Sequence, residues 1–597
     1  MIDFVSTAVI IGSGLVILSI FTSLIAFRFG APLLLVFLSI GLLAGEDGLL
    51  GLAYEDAESA YFIGSIALAI ILFDSGFSTR FRSFRLAAAP AITLATVGVI
   101  ITAGMVGLVA KYLLGLSWLE AFLLGAIVSS TDAAAVFFLL RVGGITLRER
   151  VKSTLEIESG TNDPMAIFLT IALVEALMAG IQVTDLTWLL LLDFVKQFGI
   201  GIPAGLVGGF VISQCVNRIE FDQGLYPILA LALALLTFAL ASSLGGSGFL
   251  AVYIAGLLAG NRQLKANLTL YRFQLVMTWV GQLTMFLALG LFATPSQFLD
   301  VALEAAVLAL CLMLIARPLA VWLCLAPFRF SLQEMTFIGW VGLRGAVSIL
   351  LAIIPIIADL PVGQDFFNIA FLIVVMSLLL QGWTIPRAAR TLGIVVPPRV
   401  GPIQRYELEL PGKAKQELVA YRIHKESPVG LGTRIPRWAR PSLIVRDGQS
   451  LRIHNAGRLQ PGDMVYIFAA PQNIKLLDRL FAGRTDLKLT DRDFFGDFSV
   501  RPDLMIKDLA KVYGFEVKEA DAERTLATLF KREFRDGMEI GDRMRYGLIE
   551  LIVRRLDDED QVSEVGVSIE PAETPARKGD AVRRYLKWLP PSWKRGE

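Results

Sequence analysis

Charged residues are scarce in this sequence. Only 18% of its 597 residues are Asp, Glu, Lys or Arg, whereas 55% are hydrophobic, and this balance excludes an ordinary soluble protein. The formal net charge of +1 and the lack of a basic stripe exclude a typical nucleic-acid-binding protein. The composition therefore indicates an integral membrane protein that is longer than one domain.

Cysteine and histidine are also scarce, which restricts the chemistry that the chain can support. The three cysteines, Cys215, Cys311 and Cys324, lie in apolar segments without metal-ligand spacing, so we expect neither a disulfide framework nor a zinc site. The two histidines, His424 and His454, fall in the polar C-terminal third. Proton chemistry inside the membrane must therefore use carboxylates.

Long apolar runs fill the N-terminal two thirds of the chain. A helix needs about 20 mostly apolar residues to span the hydrocarbon core of a bilayer. The sequence therefore predicts an α-helical polytopic membrane domain at residues 1–395, with about thirteen spans. We place these spans near 4–27, 31–45, 60–77, 87–110, 118–140, 153–176, 197–216, 225–243, 247–260, 273–293, 300–325, 334–357 and 366–386.

The loops between these spans differ in charge. One alternate set contains basic residues such as Arg80, Arg141 and Arg148, whereas the opposite set contains acidic residues such as Glu46 and Asp47. Cytoplasmic loops collect Lys and Arg. We therefore expect the N-terminus outside the cell and the C-terminal region in the cytoplasm, with the protein in the cell (inner) membrane.

The composition changes abruptly after Pro398 to a mixture of charged and apolar residues. Runs in the strand period, separated by turn signals such as Asp447-Gly448, predict a small α/β unit at 401–483. A second small α/β unit is predicted at 487–571, and a basic tail at 576–597. A Gly-rich phosphate loop is not present in this region.

Carboxylates inside two predicted spans mark the candidate site. The fifth span contains Ser129–Asp132, and the sixth contains Glu158–Pro164. Each carboxylate would cost about 2.5–3.5 kcal/mol at the bilayer centre, so it needs a partner or a function. Pro164 has no N–H for the carbonyl of Gly160, which exposes a backbone oxygen beside Asp163. Such oxygens suit a hard alkali cation.

The helix faces and a late arginine extend this polar cluster. Ser159 shares a helix face with Asp163, and Glu158 shares the neighbouring face with Asn162. The small hydroxyl residues before Asp132 predict a broken helix whose carbonyls face an ion. We interpret Arg344, which lies between glycines in the twelfth span, as the counter-ion of Glu158. The alternative is a purely structural cluster, which would not need two unneutralised aspartates beside a helix break.

Several of these motifs together resemble the monovalent cation/proton antiporter-1 family. They are Thr131-Asp132, Glu158-Ser159, Asn162-Asp163 and Gly342-Leu343-Arg344-Gly345. The C-terminal layout is similar to that of the bacterial potassium/proton antiporter branch, with a TrkA-type RCK C-terminal domain before a CorC/HlyC-type transporter-associated domain. The resemblance implies a thirteen-helix inverted-repeat fold that works as a homodimer. Spans 4–6 and 11–13 would form its moving core, with the fifth and twelfth unwound where they cross.

The resemblance also implies roles for individual residues. Asp163 would bind the cation and the proton in turn, while Asp132, Ser159 and the Thr131 carbonyl would complete the coordination of the alkali cation. Asn162 would belong to the same site. Glu158 would hold Arg344 in an ion pair. Ala133 stands where the family frequently has a proline, and Asn162 in place of a second aspartate leaves one fewer titrating charge, so we expect electroneutral exchange.

We therefore expect an elevator-type antiporter rather than an enzyme, with a monovalent cation (K⁺ or Na⁺) and H⁺ as substrates and no cofactor. A nucleotide-like ligand could bind the C-terminal region, and we expect no nucleic-acid partner. Two alternatives are a cation channel gated by an RCK-like region and a membrane-tethered ligand sensor. The channel is disfavoured because no Thr-Val-Gly-Tyr-Gly filter occurs, and a sensor leaves Asp132 and Asp163 unexplained. The sequence leaves the roles of Asp74, Glu156 and Arg317 open.

Overall fold

A computed structural model shows how the chain is divided. It contains two compact units, Met1–Pro398 and Arg399–Glu597, which we call the membrane unit and the C-terminal unit. The residues that the structure describes are 2–29, 32–180, 183–262, 264–265, 267–396, 404–408, 416–425, 427–433, 435–470, 473–482, 492–513, 517, 521–534, 538–546, 549–557 and 561–568. The predicted basic tail at 576–597 lies outside these residues.

The membrane unit is almost entirely helical. Its helices are α1 (Ile2–Phe29), α2 (Leu33–Ala44), α3 (Ala57–Ser78), α4 (Phe81–Thr93), α5 (Val99–Leu114), α6 (Trp118–Ile127), α7 (Ala133–Val142), α8 (Glu149–Met178), α9 (Val183–Arg218), α10 (Leu225–Ser243), α11 (Gly248–Gly260), α12 (Asn267–Phe292), α13 (Ala302–Cys311), α14 (Arg317–Leu325), α15 (Leu332–Trp340), α16 (Ala346–Leu351), α17 (Ile354–Ile357), α18 (Gly363–Leu380) and α19 (Ile385–Thr391). The short strands β1 (Thr146–Leu147) and β2 (Val395–Val396) pair antiparallel near the end of this unit.

Several of these helices combine into longer segments. A π-helical turn joins α4 to α5 and another joins α13 to α14, while short breaks separate α6 from α7 and α15 from α16. Among the described residues, eight helices are long and apolar enough to span a membrane, and shorter apolar helices accompany them. The predicted class, a helical polytopic membrane protein, is confirmed.

Two parts of the membrane unit repeat the same local devices. In each part a π-helical turn, at Leu94–Gly98 or Leu312–Ala316, precedes a broken segment. Each broken segment begins at a capping box, in which a serine hydroxyl and a glutamate three residues later satisfy free N–H groups of the first turn. These boxes are Ser117 with Glu120 and Ser331 with Glu334. The repetition brings two broken helices into equivalent places in the two parts.

Within its described residues, the C-terminal unit contains two separate antiparallel sheets. The first has the strand order β3-β4-β7-β5-β6, and the second has the order β8-β11-β10-β9. The strands are β3 (Gln404–Leu408), β4 (Gln416–Arg422), β5 (Leu443–Arg446), β6 (Gln449–Leu451), β7 (Met464–Ala469), β8 (Phe498–Val500), β9 (Arg543–Tyr546), β10 (Ile549–Leu556) and β11 (Val562–Ser568), and the helices are α20 (Ile453–Ala456), α21 (Ile474–Leu477), α22 (Arg492–Phe495), α23 (Ile506–Tyr513) and α24 (Leu526–Glu533).

Each sheet of the C-terminal unit has its own hydrophobic core. Residues such as Val419 and Phe481 are buried against the first sheet, and Phe530 and Leu551 are buried against the second. Alternating burial along β7 shows the period of a strand with one face covered. The described part of the unit therefore contains two small sheets with their own helices and cores, which is consistent with small α/β domains.

Candidate functional site

The two helix breaks cross inside the membrane unit. One break lies between α6 and α7 and the other between α15 and α16. The Asp132 N–H donates a hydrogen bond to the Leu343 carbonyl at 2.8 Å. A Cβ on Gly345 would lie 2.7 Å from the Asp132 Cβ, so only glycine allows this approach. The predicted crossing of the fifth and twelfth spans is present.

Asp132 begins α7 and is held by that helix. Its Oδ1 accepts hydrogen bonds from the N–H groups of Ala134 at 2.8 Å and Ala135 at 3.2 Å. An aspartate at this position satisfies free N–H groups, and the positive end of the helix dipole stabilises its charge. The broken helix thus supports an ionised carboxylate within the membrane unit.

Asp163 lies on α8, beside the break between α6 and α7. Its side chain is 6% exposed, and its Oδ1 accepts a hydrogen bond from the Ser130 hydroxyl. The helix continues through Pro164 from Glu149 to Met178, so the proline removes one intrahelical donor without ending the helix. Asp163 has fewer hydrogen-bond donors than Asp132.

Two further residues of α8 bind the same break. Ser159 Oγ donates to the Thr131 carbonyl at 3.1 Å and accepts from the Ala133 N–H at 3.1 Å. Asn162 Nδ2 donates to Thr131 Oγ1 at 2.5 Å. Because proline has no N–H, the second of the Ser159 bonds requires a residue other than proline at position 133, where this chain has alanine.

One cavity of about 880 Å³, which we call the Asp163 cavity, connects these groups. Its lining includes Thr131, Asp132, Ser159 and Asp163, but not Asn162, Glu158 or Arg344. Predicted cation ligands therefore share a cavity. Asn162 is fully buried and supports the wall through Thr131.

The cavity extends to the end of the unit where basic loop residues lie. Arg80, Arg141 and Lys152 line that part, together with Asp74 and Glu156. Asp74 accepts a hydrogen bond from Thr278 Oγ1 at 2.9 Å, and Glu156 lies 3.7 Å from Lys152 Nζ. Asp74 and Glu156, whose roles the sequence left open, therefore lie along the path to Asp163.

The structure corrects the predicted ion pair between Glu158 and Arg344. Glu158 Oε1 lies 2.6 Å from Nη2 of Arg317, and both side chains are almost completely buried. Arg344 Nη1 instead donates to the carbonyls of Ser129 at 2.5 Å and Ser130 at 2.7 Å. Carbonyls that follow the end of a helix lack intrahelical donors and carry partial negative charge, so the broken fifth span supplies the counter-charge for Arg344.

Sequence reasoning assigned no site role to Arg317, although a signal for one was present. It is an arginine in an apolar span, and such residues usually pair or line a cavity. A Cβ on Gly342 would lie 2.8 Å from Arg317 Nε, so this glycine makes room for the guanidinium group. The two glycines that flank Leu343 and Arg344 therefore have separate uses: Gly342 accommodates Arg317 and Gly345 accommodates Asp132.

The charges of this cluster do not cancel. Asp132, Asp163 and Glu158 supply three carboxylates, and Arg317 and Arg344 supply two guanidinium groups. If all five are ionised, the cluster has one excess negative charge. A single monovalent cation or a single added proton would neutralise it.

Comparisons with known proteins identify the family of this chain. Residues 15–391 match the family model described as "Sodium/hydrogen exchanger, transmembrane". The K(+)/H(+) antiporter NhaP2 of Shewanella sp. (strain ANA-3) is 41% identical over 577 residues, which cover 96% of this chain and 99% of that protein. The K(+)/H(+) antiporter NhaP of Alkalimonas amylolytica is 41% identical over 567 residues, which cover 94% and 98%.

A solved structure shows a similar fold. The sodium proton antiporter MjNhaP1 from Methanocaldococcus jannaschii at pH 8 aligns with a TM-score of 0.57 at 23% identity, over 65% of this chain and 99% of that chain. At this identity the likeness supports the fold alone. The family match and the two relatives that extend over nearly the whole chain show that this protein belongs to the sodium/hydrogen exchanger family.

Proposed function

We propose that the protein is an antiporter that exchanges one K⁺ ion for one proton. The observation that carries the proposal is the pair of carboxylates, Asp132 and Asp163, which line one cavity from two adjoining segments. Membership of the sodium/hydrogen exchanger family supports exchange of a monovalent cation for protons. Two relatives that match nearly the whole chain are named K(+)/H(+) antiporters, which favours K⁺ over Na⁺.

The cation and the proton compete for Asp163. Asp132, the Ser159 hydroxyl and the Thr131 carbonyl are the remaining ligands, and their oxygens are of the type that hard cations prefer. A bound cation must compete with the Ser159 to Thr131 hydrogen bond. Asn162 keeps Thr131 in place.

The excess charge of the cluster supports electroneutral exchange. Glu158, Arg317 and Arg344 are fixed by their contacts and together carry a net charge of +1. One bound K⁺ or one bound proton supplies the second positive charge that balances the two aspartates. A site that contains neither keeps an uncompensated charge, which is costly to move through hydrocarbon. The loaded site therefore crosses the membrane with either substrate, and the number of charges moved is the same in both directions.

Alternating access follows from the contacts between the two crossing segments. The segments α4–α8 and α13–α18 form a core that moves as one body in an elevator-type cycle, because buried bonds such as Arg344 to Ser130 join its halves. The protein works as a homodimer in the cell membrane, with its N-terminus outside. The basic end of the Asp163 cavity then faces the cytoplasm, where the C-terminal unit, with its RCK-type and CorC/HlyC-type domains, regulates exchange and binds a small nucleotide-like ligand.

Proteoliposomes that contain a pH-sensitive dye test this proposal. The purified wild-type protein should move protons after a pulse of either cation, with a lower half-saturating concentration for K⁺ than for Na⁺. An imposed membrane potential should not change the rate of exchange. Asp163→Asn should abolish exchange without changing the size-exclusion profile. Asp365→Asn is the matched control, because Asp365 is exposed in the first turn of α18, away from the cavity.

Three results would contradict the proposal. Proton movement by Asp163→Asn would exclude this carboxylate as the shared site. K⁺ flux without proton movement would favour the channel alternative. A rate that follows the membrane potential would exclude electroneutral exchange.

A further inference from the structure

A second cavity, separate from the Asp163 cavity, lies between α14, α15 and α19. Its volume is about 470 Å³, which is within the range of about 300–1,000 Å³ that ligand sites occupy. Its walls are mostly apolar and include Met313, Leu314, Pro318, Trp322 and Trp340. We call this cavity the α14–α19 cleft.

The α14–α19 cleft opens on an exposed apolar face of the membrane unit. Leu314 is 58% exposed and Trp322 is 46% exposed, and both belong to an apolar segment that is long enough to span a membrane. An apolar residue that is exposed on such a segment can face lipid chains. An occupant of this cleft can therefore enter from the bilayer.

A positive charge lies in the lining of the same cleft. Arg387 lines the cleft and is exposed, and within the described residues its side chain has no acidic partner at ion-pair distance. In the neighbouring turn of α19, Arg390 donates to the Gly143 carbonyl at 3.2 Å. Gly143 directly follows α7, whose last turn contains Arg141, so this turn of α19 lies at the basic end of the membrane unit. The cleft therefore combines an apolar wall with an unpaired cation near the membrane surface.

The polar groups beside Arg387 are already used. Trp340 Nε1 donates to Thr384 Oγ1 at 2.9 Å, and the Thr384 hydroxyl donates to the Gln381 carbonyl at 2.8 Å. Thr391 Oγ1 donates to the Arg387 carbonyl at 3.1 Å. The guanidinium group of Arg387 is the charged donor that remains for an occupant.

We propose that the α14–α19 cleft binds an anionic phospholipid, with one acyl chain against Leu314 and Trp322 and the phosphate on Arg387. Basic pockets between membrane helices bind anionic lipid head groups in this way. A zwitterionic lipid lacks the net negative charge that an unpaired guanidinium attracts. The proposal concerns binding and does not depend on which cation the protein exchanges.

The location of the cleft connects the lipid to the transport site. Pro318, in its wall, directly follows Arg317, and Trp340 ends α15 just before the break that contains Arg344. A Cβ on Gly339 would lie 3.2 Å from the Pro318 Cα, so α14 and α15 are in close contact there. A bound acyl chain would therefore contact both arginine-bearing segments from a cleft whose lining shares no residue with that of the Asp163 cavity.

Native mass spectrometry of the full-length protein tests the proposal. The protein is purified in detergent and titrated with phosphatidylglycerol or phosphatidylcholine. We expect one phosphatidylglycerol molecule per chain to bind at least about fivefold more tightly than phosphatidylcholine, since one basic residue near the surface contributes about that factor. Arg387→Gln should remove this preference, and Ala388→Phe, which fills the cleft, should remove the bound lipid.

Arg390→Gln is the matched control, because Arg390 is an exposed arginine of α19 that does not line the cleft. It should retain the binding of the wild-type protein. Equal losses in Arg387→Gln and Arg390→Gln, or equal binding of both lipids by the wild type, would overturn the proposal. A lower dimer fraction in Arg387→Gln without loss of lipid would also overturn it and assign the cleft to a second copy of the chain. Arg387→Gln decides the outcome even if Ala388→Phe does not fold, because residue 387 is exposed.

Discussion

Replacing Glu158 by glutamine should destabilise the membrane unit strongly. Glu158 Oε1 lies 2.6 Å from Arg317 Nη2, with exposed fractions of 1% and 3%. Removing one partner of a buried ion pair costs about 3–5 kcal/mol, because the other charge remains buried and unpaired. The true cost of Glu158→Gln should lie in this range, since the buried Arg344 adds a second positive charge to the same region.

The loss can be measured by unfolding the protein in mixed micelles and following its helical circular dichroism. Glu156→Gln is the matched control, because Glu156 lies on the same helix and its pair with Lys152 is 3.7 Å long and partly exposed. Such an exposed pair contributes about 0–1 kcal/mol. The free energy of unfolding should therefore fall several times more for Glu158→Gln than for Glu156→Gln.

A double-mutant cycle identifies the partner of Glu158. Arg317→Gln should recover part of the loss caused by Glu158→Gln, with a coupling energy of about 0.5–3 kcal/mol. Arg344→Gln should not, because it leaves the carbonyls of Ser129 and Ser130 without their donor. Compensation by Arg344→Gln alone, or equal losses for Glu158→Gln and Glu156→Gln, would refute the assignment of the ion pair.

Two other predictions concern hydrogen bonds at separate sites. Ala133→Pro should lower the half-saturating K⁺ concentration about fivefold in the proteoliposome assay, because it removes the N–H bonded to Ser159 Oγ, a bond worth about 1 kcal/mol. Proline fits the first position of a helix, and the control Ala133→Ser keeps this N–H and should behave as wild type. An unchanged half-saturating concentration for Ala133→Pro would contradict the role of this bond. In the C-terminal unit, hydrogen bonds from Arg532 and then Tyr546 lower the pKa of Asp521 to about 2. Because the pKa is lower in the folded state than the ordinary value of about 3.9, this carboxylate stabilises the fold above about pH 4 and loses its effect as the pH falls toward 2. Amide-exchange protection, corrected for intrinsic rates, should be greater in wild type than in Asp521→Asn above about pH 4. This difference should shrink as the pH falls toward about 2, and a constant difference would contradict the prediction.

The sequence predicted those features that depend on periodicity and on the cost of burying charge. The apolar runs predict the helical membrane domain, and the buried carboxylates predict the polar cluster, whereas the crossing of the fifth and twelfth spans was implied by the resemblance to the antiporter family. The prediction that Glu158 pairs with Arg344 was wrong, because Arg317 and Arg344 are both intramembrane arginines and sequence spacing does not show which of them faces α8. The identities of the two C-terminal domains stay predictions.

Atomic contacts that involve the main chain could not be predicted. The bond between the Ala133 N–H and Ser159 requires the exact rotation of α8 against the break, which sequence spacing does not specify. The same limit applies to Gly342 and Gly345. Only the folded chain shows that Arg317 and Asp132 occupy the space that side chains at these positions would need.

The crossing and the C-terminal end of α18 satisfy several backbone groups that the two breaks expose. Arg344 binds the carbonyls that follow α6, and Asp132 binds the N–H groups that begin α7. On the other break, Gln381 Nε2 donates to the Trp340 carbonyl at 2.7 Å, and the Arg344 N–H donates to Ser377 Oγ at 3.1 Å. Unwound backbone at membrane depth requires such internal partners, so these contacts make the breaks compatible with the membrane.

This arrangement leaves Asp163 as the least compensated carboxylate of the cluster. Asp132 has a helix N-terminus and Glu158 has a guanidinium group, whereas within the described chain Asp163 accepts a hydrogen bond from the Ser130 hydroxyl. A neutral hydroxyl offsets much less of the cost of burying a charge than a cation does. A positive charge bound to Asp163 would therefore gain most, and this difference in compensation is the physical reason for proposing that K⁺ and the proton compete at this one residue.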